Sequence, residues 1–173
     1  MNLLFKRVAI LLIAMVTMNV AASAQAKGDM AVGGNLLLGT GDNSQIGIGA
    51  KFFYNVTEPI RLVGEFDFFP KKNNVSMWDL SVYGHYLFPV AEKITLYPSV
   101  GLGLLSASVS IPAVTVSGVT IPAQSHSSSD FALSLGGGID YELSSKLILS
   151  GELRFKIKNG SSSIIALGLA YRL

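Results

Sequence analysis

The sequence has no cysteine, little charge and, beyond its first two dozen residues, no long apolar run. Each shortage excludes something. Without cysteine there is no disulfide scaffold, thiolate metal site, cysteine nucleophile or lipid attached through sulfur. Charged residues make up 14% of the chain, where soluble domains carry about a quarter. With 50% hydrophobic residues and a mean hydropathy of +0.49, the chain is too apolar for an ordinary wet surface. Yet no later stretch approaches the roughly 18 unbroken apolar residues of a spanning helix, so a helical membrane protein is excluded. At 173 residues the chain holds one domain and not a large multidomain enzyme.

The amino terminus reads as an export signal. Lys6 and Arg7 precede an apolar run from Val8 to Val16, and Ala22-Ser23-Ala24 supplies the small residues of a cleavage site. The expected organisation is a signal peptide over residues 1–24 and one domain over 25–173. A retained anchor is the alternative, but the segment is short for one. Removing Lys6 and Arg7 leaves eleven basic against eleven acidic side chains, so nothing favours a nucleic-acid partner.

The remainder alternates, apolar at every second position, in eight runs: Met30–Gly39, Gln45–Val56, Ile60–Phe69, Val75–Phe88, Ile94–Ser106, Ser129–Glu142, Lys146–Lys158 and Ser163–Leu173. Connections at one end are tight turns, whereas the other end includes the long segment Ala107–Ser128. Sorting by parity yields two faces. One carries Ile46, Phe52, Leu62, Phe66, Leu80, Leu133, Leu149, Leu153, Ile165 and similar residues, with no charge. The other collects Lys51, Arg61, Glu65, Asp67, Asp79, His85, Asp130, Asp140, Glu142, Lys146, Glu152, Arg154, Lys156 and Lys158 among Gly, Ser and Ala.

A soluble barrel such as a lipocalin needs the opposite arrangement, wet outside and apolar within. In water, this apolar face would form a patch far beyond the few hundred Å² a monomer tolerates. Lipid is the solvent that fits, and strands cross lipid only as a closed ring with every backbone group paired. The fold class is therefore all-β, an eight-stranded antiparallel up-and-down transmembrane barrel. Aromatics on the apolar face sort into two bands: Tyr54, Tyr86, Tyr141 and Tyr171 at the tight-turn end, Phe68, Trp78, Phe131 and Phe155 at the other. Their spacing projects to roughly 20–25 Å, the height between interfacial girdles.

The signal sequence, the eight runs and the closing Leu167-Gly168-Leu169-Ala170-Tyr171-Arg172-Leu173 resemble the small OmpA/OmpX-like outer-membrane β-barrel family, over the whole exported chain. The resemblance implies a bacterial outer-membrane location, tight turns toward the periplasm and longer loops outside. It also implies a carboxy-terminal assembly signal at Leu167, Leu169, Tyr171 and Leu173, read by the barrel-assembly machinery. Expected partners are outer-membrane lipid and, during biogenesis, that machinery and periplasmic chaperones, the protein itself being a monomer. Leu173 departs from the family's usual terminal aromatic.

Eight strands enclose a lumen that side chains just fill. With Glu58 at the centre of the second turn, runs two and three set Lys51 opposite Glu65, an ion pair on the lumen side. Glu152 and Arg154 face the same interior, which predicts a buried network of Lys51, Glu65, Glu152 and Arg154; an ion path is the functional alternative. Pro98 is expected at the start of run five or at a bulge, because it lacks a ladder donor. Ile94 to Ser129 carries no Asp, Glu, Lys or Arg. Within it Ile111, Val114, Val116, Val119 and Ile121 form a strand-like order, which reads either as a surface hairpin able to capture a partner strand or as a long loop that merely shields the barrel mouth.

Catalysis finds little support, since the two histidines are distant: His85 falls on the lumen face and His126 among loop serines. Neither a metal site nor a cofactor is expected, and Gly136-Gly137-Gly138 precedes no helix that would make it a phosphate loop. The reading is a non-catalytic outer-membrane barrel of structural or surface-interaction type with a filled polar lumen. A narrow channel is the alternative and a lipid-modifying enzyme the more distant one.

Overall fold

A computed structural model describes residues 26–40, 44–111, 113–116, 119–122, 124–157 and 162–173, so the leader read over residues 1–24 lies outside the described residues. The strands are β1 (Met30–Thr40), β2 (Gln45–Asn55), β3 (Ile60–Lys72), β4 (Val75–Tyr86), β5 (Phe88–Ala91), β6 (Ile94–Ile111), β7 (Val114–Val116), β8 (Val119–Ile121), β9 (Gln124–Glu142), β10 (Leu147–Ile157) and β11 (Ser162–Arg172). Antiparallel ladders run in the order β4-β3-β2-β1-β11-β10-β9-β6, and a β4–β6 ladder closes the ring. β5 continues the line of β4 against β6, with Phe88 opposite Leu96, so the ring has eight staves.

Local chemistry sets the turns. Asn73 and Asn74 hold φ of 50° and 66° between the paired Lys72 and Val75. Two left-handed residues in a two-residue connection match the twist of the flanking strands, and Asn tolerates that conformation better than most residues.

Burial alternates along every stave, as a period of two requires. Ile46, Leu102 and Phe131 are 71%, 68% and 85% exposed on the outer wall, whereas Val63 and Asp67 are 0% exposed within. The ladders also fix the tilt. Following Trp78 through Phe68, Ile48, Leu36, Leu167, Gly151, Ile139 and Leu96 leads back to the same stave at Phe88, ten residues further on. Such a stagger in an eight-stave ring tilts the strands by about 40°.

Three features differ from the sequence reading. First, Ala107–Ser128 is not one long loop: β6 and β9 stay paired up to Ile111 and Gln124, with Ser alternating with apolar residues along β6 and Ser-rich β9 opposite, and β7 pairs with β8 beyond them. Second, Pro98 lies inside β6, opposite Gly137 of β9, and neither at the strand's start nor at a bulge. On its β4 side the ladder lapses between the pairs His85–Ser99 and Phe88–Leu96. The Pro98 ring removes the N–H that would reach Tyr86, and the lapse that separates β5 from β4 follows. Third, Lys146 does not face the lumen but sits at the rim against the outward Tyr171. Asp130 keeps the inward parity of Ala132 and Ser134, opposite Leu105, yet is exposed where β9 leaves the ring.

Candidate functional site

Two places hold chemistry: the ring's interior and the hairpin that rises from it. The interior is stratified. Leu37, Phe69, Ile164 and Ala166 form an apolar layer toward the hairpin end, and Ala31, Phe53, Val63, Tyr83, Ile148 and Ala170 form another toward the tight-turn end. Between and beside them lie, among the described residues, nine buried charges: Lys51, Arg61, Arg154 and Lys156 against Glu65, Asp67, Asp79, Asp140 and Glu152.

The four residues of the sequence-derived network come together. β2 and β3 pair Lys51 opposite Glu65, and the Lys51 ammonium lies 3.7 Å from Glu65 Oε2. Lys51 also bonds Glu152 from the far wall. Arg154 reaches Glu65 at 2.9 Å and Glu152 at 3.5 Å. Asn35 Nδ2 and Tyr97 Oη donate to Glu65 and Glu152 at 2.8 and 3.0 Å. Each carboxylate of this quartet thus meets two cations and a neutral donor, the satisfaction that buried charge demands.

Sequence reasoning placed further charges on this face without pairing them. Lys156 bonds Asp79, which also accepts from Ser81. Arg61 Nη1 donates to Asp140 at 2.7 Å, and Arg61 lies between the rings of Phe53 and Tyr97, each centroid 4.9 Å away. His85 stacks on Tyr97 at 4.5 Å and contacts Arg61 through Nδ1 at 3.1 Å. Asp67, set directly across from Asp79, is the exception: neither oxygen accepts a hydrogen bond, and its contact with Arg154 is 3.6 Å. Lumen aromatics were overlooked altogether. Phe53, Tyr83 and Tyr97 share the parity of Lys51, His85 and Ser99, which is the signal that marks them.

At the tight-turn mouth a cavity of about 10 Å³ lies among Asp29, Phe53, Asn55 and Arg61, space for a single water. Among the described residues no cluster of His, Cys, Asp or Glu has metal-holding geometry.

Outside, both aromatic sets point away from the ring. Tyr54, Tyr86, Tyr141 and Tyr171 lie near the tight turns. Phe68, Trp78, Phe131 and Phe155 lie near the opposite end, where Trp78 stacks with Phe66 at 6.3 Å. Leu167, Leu169, Tyr171 and Leu173 alternate outward along and just beyond β11, all exposed.

Above the ring the β6–β9 hairpin ends in the β7–β8 pair, with Val114 opposite Ile121 and Val116 opposite Val119; Ile111 closes the longer ladder opposite Gln124. β4 covers the β6 side as far as Val109. The β9 side is open: its ladder with β10 reaches only Leu133–Ile157, so among the described residues Gln124–Ala132 has no partner there. His126 stands exposed on this stretch, opposite Val109.

The geometry agrees with what the chain resembles. Ail, the attachment invasion locus protein of Yersinia pestis, superposes with a TM-score of 0.58 at 18% identity, over 85% of this chain and 99% of Ail. Neisserial surface protein A superposes at 0.63 with 12% identity, over 84% of this chain and 96% of the other. The N-terminal β-barrel domain of Pseudomonas aeruginosa OprF superposes at 0.57 with 13% identity, over 86% and 100%. At these identities the likeness is one of fold. No curated protein matches the chain. The family model described as outer membrane protein beta-barrel domain matches residues 8–172. That match spans nearly all of the sequence and every stave of the ring, and the chain belongs to this outer-membrane β-barrel family.

Proposed function

We propose that this barrel is a non-catalytic anchor presenting a surface-interaction hairpin. The observation that carries the reading is the open β9 edge over Gln124–Ala132, standing beyond a ring whose lumen is filled by paired charges. Antiparallel ladders alternate, so residues whose N–H groups face β6 do not face the open side. Glu142 donates to Lys93 at the foot of β6, which places even-numbered β9 residues on the β6 side. The N–H groups of Ser125, Ser127 and Ser129 therefore point to the open edge. An edge with neither lysine nor proline lacks the usual protection against added strands, and an extended polypeptide can pair along it through main-chain bonds. A serine-rich strand with Asp130 as its one Asp, Glu, Lys or Arg selects weakly by side chain, which suits capture of varied extended segments.

The filled lumen supports an anchor over a pore, and the separation of His85 from His126 supports a non-catalytic role. The exported leader and assembly through the carboxy-terminal strand belong to this same reading. The test compares cells displaying the intact protein with cells in which a tight turn replaces residues 107–128. Binding of a panel of extracellular and envelope proteins should fall to background in the shortened form while the barrel still folds. Equal binding by both forms would overturn the proposal.

A further inference from the structure

The outer wall is not uniformly convex. Where Pro98 interrupts the β4–β6 ladder, a groove of about 510 Å³ runs past Gly84, Pro98, Val100 and Leu135 toward Ile60 and Tyr86. Small residues hollow it: a Cβ on Gly84 would meet only the Val100 carbonyl, at 3.9 Å. Its lower end reaches the tyrosine band, and the rest lies between the two aromatic bands, where water is excluded.

His85 and Ser99 also border the groove, but both are buried on the lumen side of the wall; the polar group of interest here is a backbone one. Asn74 accepts from Ser110, which places even-numbered residues of the β4 stave on the β6 side. The Tyr86 carbonyl therefore points toward Pro98, which has no N–H to give. This oxygen is left without its ladder donor at the interfacial end of a largely apolar channel, where donors on lipid headgroups lie within reach.

We propose that the groove holds one acyl chain of a phospholipid from the leaflet at the tight-turn end, with the Tyr86 carbonyl accepting a hydrogen bond from a donor on the headgroup. The volume lies within the range of small-molecule sites. A second copy of the barrel fits poorly, since two convex walls meet along a narrow line and stable interfaces bury about 1,600 Å².

The experiment is native mass spectrometry of the folded protein released from vesicles containing equal parts phosphatidylethanolamine and phosphatidylcholine with identical chains. Intact folding of each variant is checked by heat-dependent electrophoretic mobility. The wild-type protein should retain one lipid, with about fivefold preference for the ethanolamine headgroup, the equivalent of one net hydrogen bond. Gly84→Leu, which fills the channel without a backbone clash, should lose that retained lipid. Pro98→Ala returns a donor to Tyr86 and should keep the lipid but lose the preference. Retention unchanged in Gly84→Leu, no lipid on the wild-type protein, or a dimer abolished by Gly84→Leu would each overturn the acyl site. A preference unchanged in Pro98→Ala would overturn the role of the carbonyl.

Discussion

Arg154 shows how much one side chain organises inside a sealed ring, since it meets Glu65, Glu152 and Asp67 and donates to Tyr83 Oη at 3.1 Å. Removing one member of such a set strands the others without water, at about 3–5 kcal/mol. Arg154→Met and Glu65→Gln should each cost that much in denaturant unfolding from lipid vesicles. The double variant should cost clearly less than the two together; strict additivity would show that the residues act independently. Asp67 sits in the same layer yet accepts no hydrogen bond, so Asp67→Asn should change stability by no more than about 1 kcal/mol. The pairing of Lys51 with Glu65 was legible because one short turn fixes their register. The reach of Arg154 and Glu152 across the lumen was legible only as a shared face, because nothing local encodes the stagger that sets their height. Tyr97 was hidden for another reason: its ring occupies the space a Cβ on Gly138 would need, 2.6 Å away, and that glycine, though directly opposite on the neighbouring stave, is remote in sequence and gives no hint of what it makes room for.

At the scale of the element, the β6–β9 hairpin separates ring from surface. Ser127 and Ser128 are adjacent, yet their N–H groups point opposite ways, Ser127 to the open edge and Ser128 to Ala107. Ser127→Pro should leave the hairpin paired and abolish strand capture, measured as binding to displaying cells. Ser128→Pro should break the ladder and expose the tip to protease. Equal capture by the wild-type protein and Ser127→Pro would remove the edge as the point of contact. The eight staves were visible in the sequence because lipid inverts the usual polarity and makes alternation unusually clean. The end of the hairpin was not, since Ser, Ala and Val in alternation satisfy a ladder in water as well as in the bilayer and leave no mark where one medium gives way to the other.

The molecule as a whole is a cylinder whose lumen is filled by its own ion pairs, and on the proposed reading it passes no solute. Reconstituted in planar bilayers at neutral pH, it should show no stepwise conductance, and discrete open levels would overturn the filled-lumen reading. Its first and last staves are each other's neighbours: Ala31 pairs with Arg172, and Leu173 donates to the Met30 carbonyl at 3.0 Å. The start of the first stave and the end of the last therefore meet at one seam, on the side of the tight turns. Linking them covalently and opening the backbone within Thr57–Pro59 would reorder the polypeptide without moving a single stave. Such a circular permutant should regain the same heat-resistant electrophoretic form, because the circuit of neighbours has no inherent starting point.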